Sequence, residues 1–313
     1  MLIPAIAAMV WLAQQPVIRT TVPLVVAPAT VTEANGRLVD GLSASDFLLL
    51  DNGKPQAIQA EVHHQPISLV VAVQTSAISA AALAKIRKAG SLIEPLIIGQ
   101  RGAAAIVAYA DEVRVVQEFT GNPWKLVDAC RGLRAGGAGG RMIDAVAEAV
   151  RMLAGRPASA RRVILLIGET RDRSSEAALQ ETVTAAQREN VSIYPVTYSA
   201  FLTPFTAKPA DAPPAGNGGM NLFAIFREIG RLGQENAAEA FVKYTGGRRL
   251  SFLKQRGLEQ AISDIGEELH SQYILSFTPA AAAGDEYHPI QVTIKGRPEL
   301  RVRTRPGYWL AAE

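Results

Sequence analysis

The chain of 313 residues is long enough for about two domains of ordinary size, or one large domain with appendages. Hydrophobic residues make up 48% and charged residues 19%, which excludes disorder as the main state. A single cysteine, Cys130, allows neither an internal disulfide nor a cysteine-based zinc site, and a net charge of +3 is too small a surplus to make nucleic acid the main partner.

Residues 1–13 are apolar throughout before Gln14, Gln15 and Pro16. A bilayer span needs roughly 20 apolar residues, and no later stretch supplies one, so no transmembrane segment is expected. Length and position suit a secretory signal over residues 1–15, although the usual positive start is missing; a first core strand or helix is the other reading. Residues 18–66 read as a small β module, with a hairpin at Asn35-Gly36, Ser43 and Ser45 capping a short turn that holds Phe47, and a reversal at Asp51-Asn52-Gly53.

At Ile67 the pattern changes, because 67–73 (ISLVVAV) is an unbroken apolar run of the kind buried on both faces of a parallel sheet. Helical spacing over 80–98, a second buried strand at 103–109 and an alternating hairpin partner at 113–119 follow. Helical stretches at 124–133 and 142–153, a third buried strand at 163–167, a helix over 176–188 and a fourth strand at 191–196 complete the alternation. Strand and helix alternating in this way predict an α/β fold, a doubly wound, mostly parallel sheet flanked by helices over 67–256. Within it, residues 203–219, with four prolines and three glycines, read as an exposed loop, followed by helices at 222–232 and 235–244. Residues 257–313 read as a helix and then strands at 273–277, 290–294 and 300–304. The strand patterns leave open whether the two terminal β segments join or flank the sheet separately.

Ligands of an open parallel sheet bind outside the carboxyl ends of its strands, which directs attention to the loops after Val73, Leu133 and Ile167. The first buried strand runs into Gln74-Thr75-Ser76, a Gly-rich loop from Gly136 to Gly140 opens a helix, and the third strand ends near Glu169. In that order these loops resemble the von Willebrand factor type A domain. The flanking Asn35-Gly36-Arg37-Leu38-Val39, Gly41-Leu42-Ser43, Gln272-Tyr273-Ile274-Leu275-Ser276-Phe277 and Arg305-Pro306-Gly307-Tyr308 are similar to its bacterial secreted, acidobacterial-type subfamily. The resemblance spans nearly the whole chain after residue 20 and implies a Rossmann-like fold and a protein-binding role.

Members of that family bind Mg²⁺ or Mn²⁺ through Asp-x-Ser-x-Ser, a Thr and a final Asp, a set of hard oxygen ligands. Carried onto this chain, the leading Asp falls at Gln74, the two serines at Ser76 and Ile78, the Thr at Gly140 or Arg141, and the last Asp near Glu169. With one carboxylate replaced by an amide and one hydroxyl by an alkyl chain, the resemblance implies a vestigial adhesion site without metal. Arg141 could stand in for the cation by pairing with Glu169, or be a solvated residue of the first helical turn.

Other chemistry is poorly supported. The Gly-rich loop lacks the Lys-Ser/Thr of a phosphate cradle and reads as flexible, His63-His64 point to opposite faces of a strand, and no nucleophile elbow or acid–base carboxylate pair appears. Arg301, Arg303 and Arg305 alternate, so on a strand they form a basic stripe, either a contact for an anionic surface or a solvated face that protects an edge. The reading is a non-catalytic module of the envelope or secreted space that binds a protein partner. Its rivals are a metal-dependent adhesion domain with atypical ligands and an accessory subunit of an envelope enzyme or transport complex.

Overall fold

The computed structural model describes residues 24–61, 65–198, 222–279 and 287–309, with side chains left aside at 61, 222–226 and 232–235. The signal-like stretch, His63-His64 and the 203–219 loop lie outside the described residues. The first strands are β1 (Val25–Thr32), β2 (Phe47–Asp51), β3 (Lys54–Pro55) and β4 (Gln59–Glu61). Ser43 opens the short 3₁₀ turn before Phe47, its N–H donating to Asp46 Oδ2 at 2.7 Å, and Asn52 and Gly53 take φ of 48° and 76° in the tight β2–β3 reversal.

The α/β region begins with β5 (Ile67–Gln74) and α1 (Ala80–Ala89), then β6 (Ala103–Tyr109), β7 (Val113–Thr120), α2 (Pro123–Gly132), α3 (Met142–Ala154) and β8 (Arg161–Gly168). It continues through α4 (Leu179–Arg188), β9 (Val191–Thr197), α5 (Leu222–Thr245), β10 (Leu250–Ser251) and α6 (Gln255–Ser271). The chain then runs through β11 (Tyr273–Phe277), β12 (Tyr287–Ile294), β13 (Arg301–Arg303) and β14 (Gly307–Trp309).

The central sheet has the order β10-β9-β8-β5-β6-β7, parallel except for β7, which folds back antiparallel on β6. Every residue of β5 is buried, as the unbroken apolar run requires. Alternate residues of that strand feed two cores. Leu69, Val71 and Val73 pack with α1, α2 and α6, while Val70 and Ala72 pack with α3, α4 and α5. The doubly wound fold read from the alternation is therefore the observed one.

Three local departures have physical causes. The helix expected over 80–98 stops at Ala89 and continues as a 3₁₀ turn and a π turn around Pro95, which has no N–H to extend the ladder. Helix α4 starts at Leu179 rather than Glu176, because the amides of Glu176 and Ala177 donate to the Asp144 carboxylate at 3.1 and 2.8 Å. The two helices expected between 222 and 244 meet in α5 at Asn236, whose backbone leaves helical geometry at φ −161° while its side chain caps the Glu239 N–H at 3.2 Å.

The terminal segments combine. β1 pairs antiparallel with β11 and β13, and β2 with β12, giving two four-stranded sheets, β13-β1-β11-β4 and β14-β12-β2-β3. Their inner faces share one core that includes Val25, Val31, Phe47, Leu49, Tyr273, Leu275, Val292 and Tyr308. Helix α6, grouped with the C-terminal strands in the sequence reading, places Leu258, Ile262, Ile265 and Leu269 in the core of the parallel sheet instead.

Candidate functional site

Neighbours leave β5 on both sides, β6 on one and β8 on the other, so the connections diverge at its carboxyl end and open a crevice there. Its walls are 75–79, the Gly-rich loop 134–141 and the 169–176 loop. The Gly-rich loop is pinned, in contrast to the flexible segment its composition suggests. The Gly136 N–H donates to Thr75 O at 2.8 Å, the Ala77 N–H to Gly137 O at 2.9 Å, and the Ala138 and Gly139 amides to Asp111 Oδ1 at 3.1 and 2.6 Å. A carboxylate of the chain itself thus takes the amides that a phosphate would need. Gly137 sits at φ +77°, and a Cβ there would come within 2.3 Å of Asp111 Oδ2, so this turn requires glycine.

Four of the six positions carried over from the adhesion site meet at the crevice floor. Gln74 is buried; its amide donates to Ser76 Oγ at 2.9 Å, and its carbonyl accepts the Glu169 N–H at 2.8 Å. The Ser76 and Ser79 hydroxyls share a hydrogen bond of 3.0 Å, and Tyr198 OH donates to Ser79 Oγ at 2.7 Å. Gly140 is the fourth, since a Cβ on it would lie 3.4 Å from Gln74 Nε2. Ile78 takes no part and is 46% exposed at the rim. Ser79 is thus the second hydroxyl at the floor, one residue later than the spacing predicts. Gly168 makes room for this arrangement: a side chain there would meet Tyr109 OH at 2.1 Å and Gln74 Oε1 at 2.9 Å.

Arg141 does not pair with Glu169. It stands at the N-cap position of α3 and pairs with Asp144 in the first turn at 3.3 Å and with Glu176 in the neighbouring loop. Arg173 does what was expected of Arg141. Its guanidinium donates to Glu169 Oε2 from Nε and Nη2 at 3.2 and 3.0 Å, its N–H donates to Gly140 O at 3.1 Å, and its stem passes over the bare face of Gly140. The pair is anchored on one side only, for the Glu169 side chain is 11% exposed and that of Arg173 45%. Spacing from the family pattern missed Arg173; the run Arg171-Asp172-Arg173-Ser174-Ser175 after the third strand was the available signal. Asp172 serves the same loop by accepting the Ile143 N–H at 3.0 Å, which caps α3.

The basic stripe at the C-terminus is corrected by the packing. Arg301 is exposed, but Arg303 and Arg305 turn into the molecule. Arg303 pairs with Glu268 at 2.6 Å, and Arg305, 5% exposed, donates to Asn190 Oδ1 at 2.6 Å and Gln187 O at 3.3 Å. Alternation along the strand was legible, whereas the cover supplied by the α/β region was not.

Burial lifts the Tyr109 hydroxyl well above its ordinary pKa and that of Tyr198 up to about 12, the Ser79 hydrogen bond opposing the second shift. Both phenols remain neutral near pH 7. Among the described residues no group of three or more His, Cys, Asp or Glu side chains could hold a metal ion. Where the family pattern has a carboxylate, the donor set offers an amide with both ends already bonded, which does not fit a hard divalent cation.

No protein-family model matches the chain, and no curated protein does. Solved structures similar to it include a von Willebrand factor type A protein from Catenulispora acidiphila, at 11% identity and a TM-score of 0.49, with 92% of this chain and 74% of that one covered. Another is the conserved hypothetical protein BatB from Bacteroides thetaiotaomicron, at 14% identity and a TM-score of 0.44, covering 64% of this chain and 99% of that one. A third is the von Willebrand domain of the type V pili tip protein Mfa5 from Porphyromonas gingivalis, at 17% identity and a TM-score of 0.31, covering 34% and 39%.

Proposed function

We propose that the chain is a non-catalytic protein-binding module of the cell envelope or secreted space, which captures its partner at the crevice without a divalent cation. The observation that carries this reading is the closed set of bonds among Gln74, Ser76, Glu169 and Arg173. Each polar group that a cation would recruit already has a partner within the chain, and the Arg173 guanidinium supplies the positive charge beside Glu169. The same bonds argue against catalysis, because Glu169 is held by Arg173 and the Tyr109 and Tyr198 phenols stay protonated near pH 7. A rim with exposed Ile78 and Arg171 suits recognition of a protein surface. Among the described residues no helix is long and apolar enough to cross a membrane, in keeping with a module that works outside the bilayer.

Two measurements test the reading together. Calorimetric titration of the full chain with Mg²⁺ should show no micromolar isotherm, and capture of partners from envelope extract should be the same with and without EDTA. Replacing Ile78 with Asp should lower that capture while leaving the circular dichroism spectrum intact. EDTA-sensitive capture with a clear Mg²⁺ isotherm would instead establish the metal-dependent adhesion domain. Capture indifferent to Ile78→Asp would move the recognition surface away from the crevice.

A further inference from the structure

The seam where the β-sandwich meets the parallel sheet contains a buried cation. Arg305 is buried, and among the described residues no carboxylate pairs with it. Its Nη1 donates to Gln187 O and Asn190 Oδ1, while its Nε is buried and has no acceptor among the described residues. Nε and Nη2 form the side-on edge of the guanidinium, the fork with which arginine holds anions. The groups that bear on its charge are the phenols of Tyr287 and Tyr308, and loss of water lowers its pKa to about 10. The carbonyl of Gln187 lies in the last turn of α4, whose end carries about half an elementary negative charge. That leaves the guanidinium short of full compensation, and it lines a cavity of about 10 Å³ together with Pro28, Asn190, Ser192, Tyr244 and Thr245. A cavity of roughly this volume holds one water-sized species.

We propose that this cavity binds a single small monovalent anion, of which chloride is the physiological case, on the Nε–Nη2 edge of Arg305. The walls come from both halves of the molecule, Pro28 and Arg305 from the terminal segments and the remainder from α4, β9 and α5 with their ends. An anion held there compensates the buried cation and fastens the sandwich to the α/β region. This anion site is separate from the crevice and independent of what the crevice recognises.

Bromide replaces chloride chemically and can be seen directly by its anomalous scattering. Crystals of the full chain soaked in sodium bromide should show an anomalous peak within hydrogen-bond reach of Arg305 Nε. In solution, the thermal midpoint of the wild type should rise by roughly 2 °C or more from sodium gluconate to sodium chloride at equal ionic strength. Arg305→Lys, which keeps the charge but loses the fork, should lose most of that rise; if the variant does not fold, the wild-type pair of measurements decides. A bromide peak at Arg305 with the chloride-dependent rise upholds the proposal. Water alone in the cavity overturns it, and so does a bromide peak without the rise, which marks an adventitious ion only.

Discussion

The two ends of the parallel sheet handle charge in opposite ways. At the carboxyl ends, Glu169 and Arg173 pair at the rim, with the cation largely in water, and the floor beneath them is a chain of neutral hydrogen bonds through Gln74, Ser76 and Ser79. Toward the sandwich, Glu268 is 2% exposed, accepts a hydrogen bond from Tyr194 OH at 2.8 Å and forms ion pairs with Arg303 at 2.6 Å and Arg248 at 3.0 Å. Gln272 extends that network by donating to Thr30 Oγ1 at 2.8 Å and accepting from Arg161. Ionic groups in the crevice can be exchanged at little cost, because water covers one partner. In the seam each group holds the others in place, and the network ties β1 and β13 to β9 and α6.

The largest expected effect tests the seam. Glu268→Gln leaves Arg303 and Arg248 without the charge of a carboxylate that is itself buried. Removing one partner of a buried pair costs about 3–5 kcal/mol, and the partial exposure of both arginines places this variant toward the low end. Urea unfolding of the two proteins measures it; a loss below about 1 kcal/mol would mean that the seam charges are no more coupled than the rim charges.

Gln74→Ala comes next. It removes a buried amide that satisfies both Ser76 and the Glu169 N–H, so a loss of about 2 kcal/mol is expected from the groups left without partners. The same unfolding measurement serves, and a neutral result would show that the floor is wet.

Much of this contrast could be read from the chain. Period and run length located β5, β6, β8 and β9, since an all-apolar strand has no other stable setting than the middle of a covered sheet. Gln74 and Ser76 were legible because Gln74 ends β5 and Ser76 lies two residues beyond it. Arg173 was not, because its role depends on the path of the 169–176 loop over the bare Gly140, which no spacing rule encodes. Nor was the inward packing of Arg303 and Arg305, since alternation shows which side chains share a face and not what covers that face. Glu268 did leave a trace: it stands three residues after Ile265 and one before Leu269 on the apolar side of α6, where a charge needs a partner.

An exposed pair away from both ends calibrates the comparison by pH. Glu228, in the first half of α5, accepts from Arg231 at 2.9 Å and from Lys243 of the second half at 3.2 Å, and these contacts, Arg231 foremost, lower its pKa to about 2. A carboxylate with a depressed folded pKa adds stability that is complete above the unfolded value near 4.5 and is lost as pH falls toward 2. The thermal midpoints of wild type and Glu228→Gln should therefore differ slightly at pH 7 and converge near pH 2. A gap that persists in acid would assign the effect to packing at the Asn236 break.

The smallest expected effect belongs to Arg173→Ala, and its smallness is informative. With the arginine 45% exposed in the pair, its removal should cost no more than about 1 kcal/mol, because the partly exposed carboxylate of Glu169 can take water in its place. Stability and recognition then separate at this residue: the midpoint barely moves, while partner capture falls if the guanidinium is what the partner meets. The vacated carboxylate also sharpens the metal question. In the variant Glu169 loses its built-in cation, yet Gln74 still contributes an amide rather than a charge, so Mg²⁺ should remain without a micromolar isotherm in calorimetry. If removing Arg173 alone were enough to admit Mg²⁺, the guanidinium rather than the missing carboxylate would be what excludes the metal from the wild-type crevice.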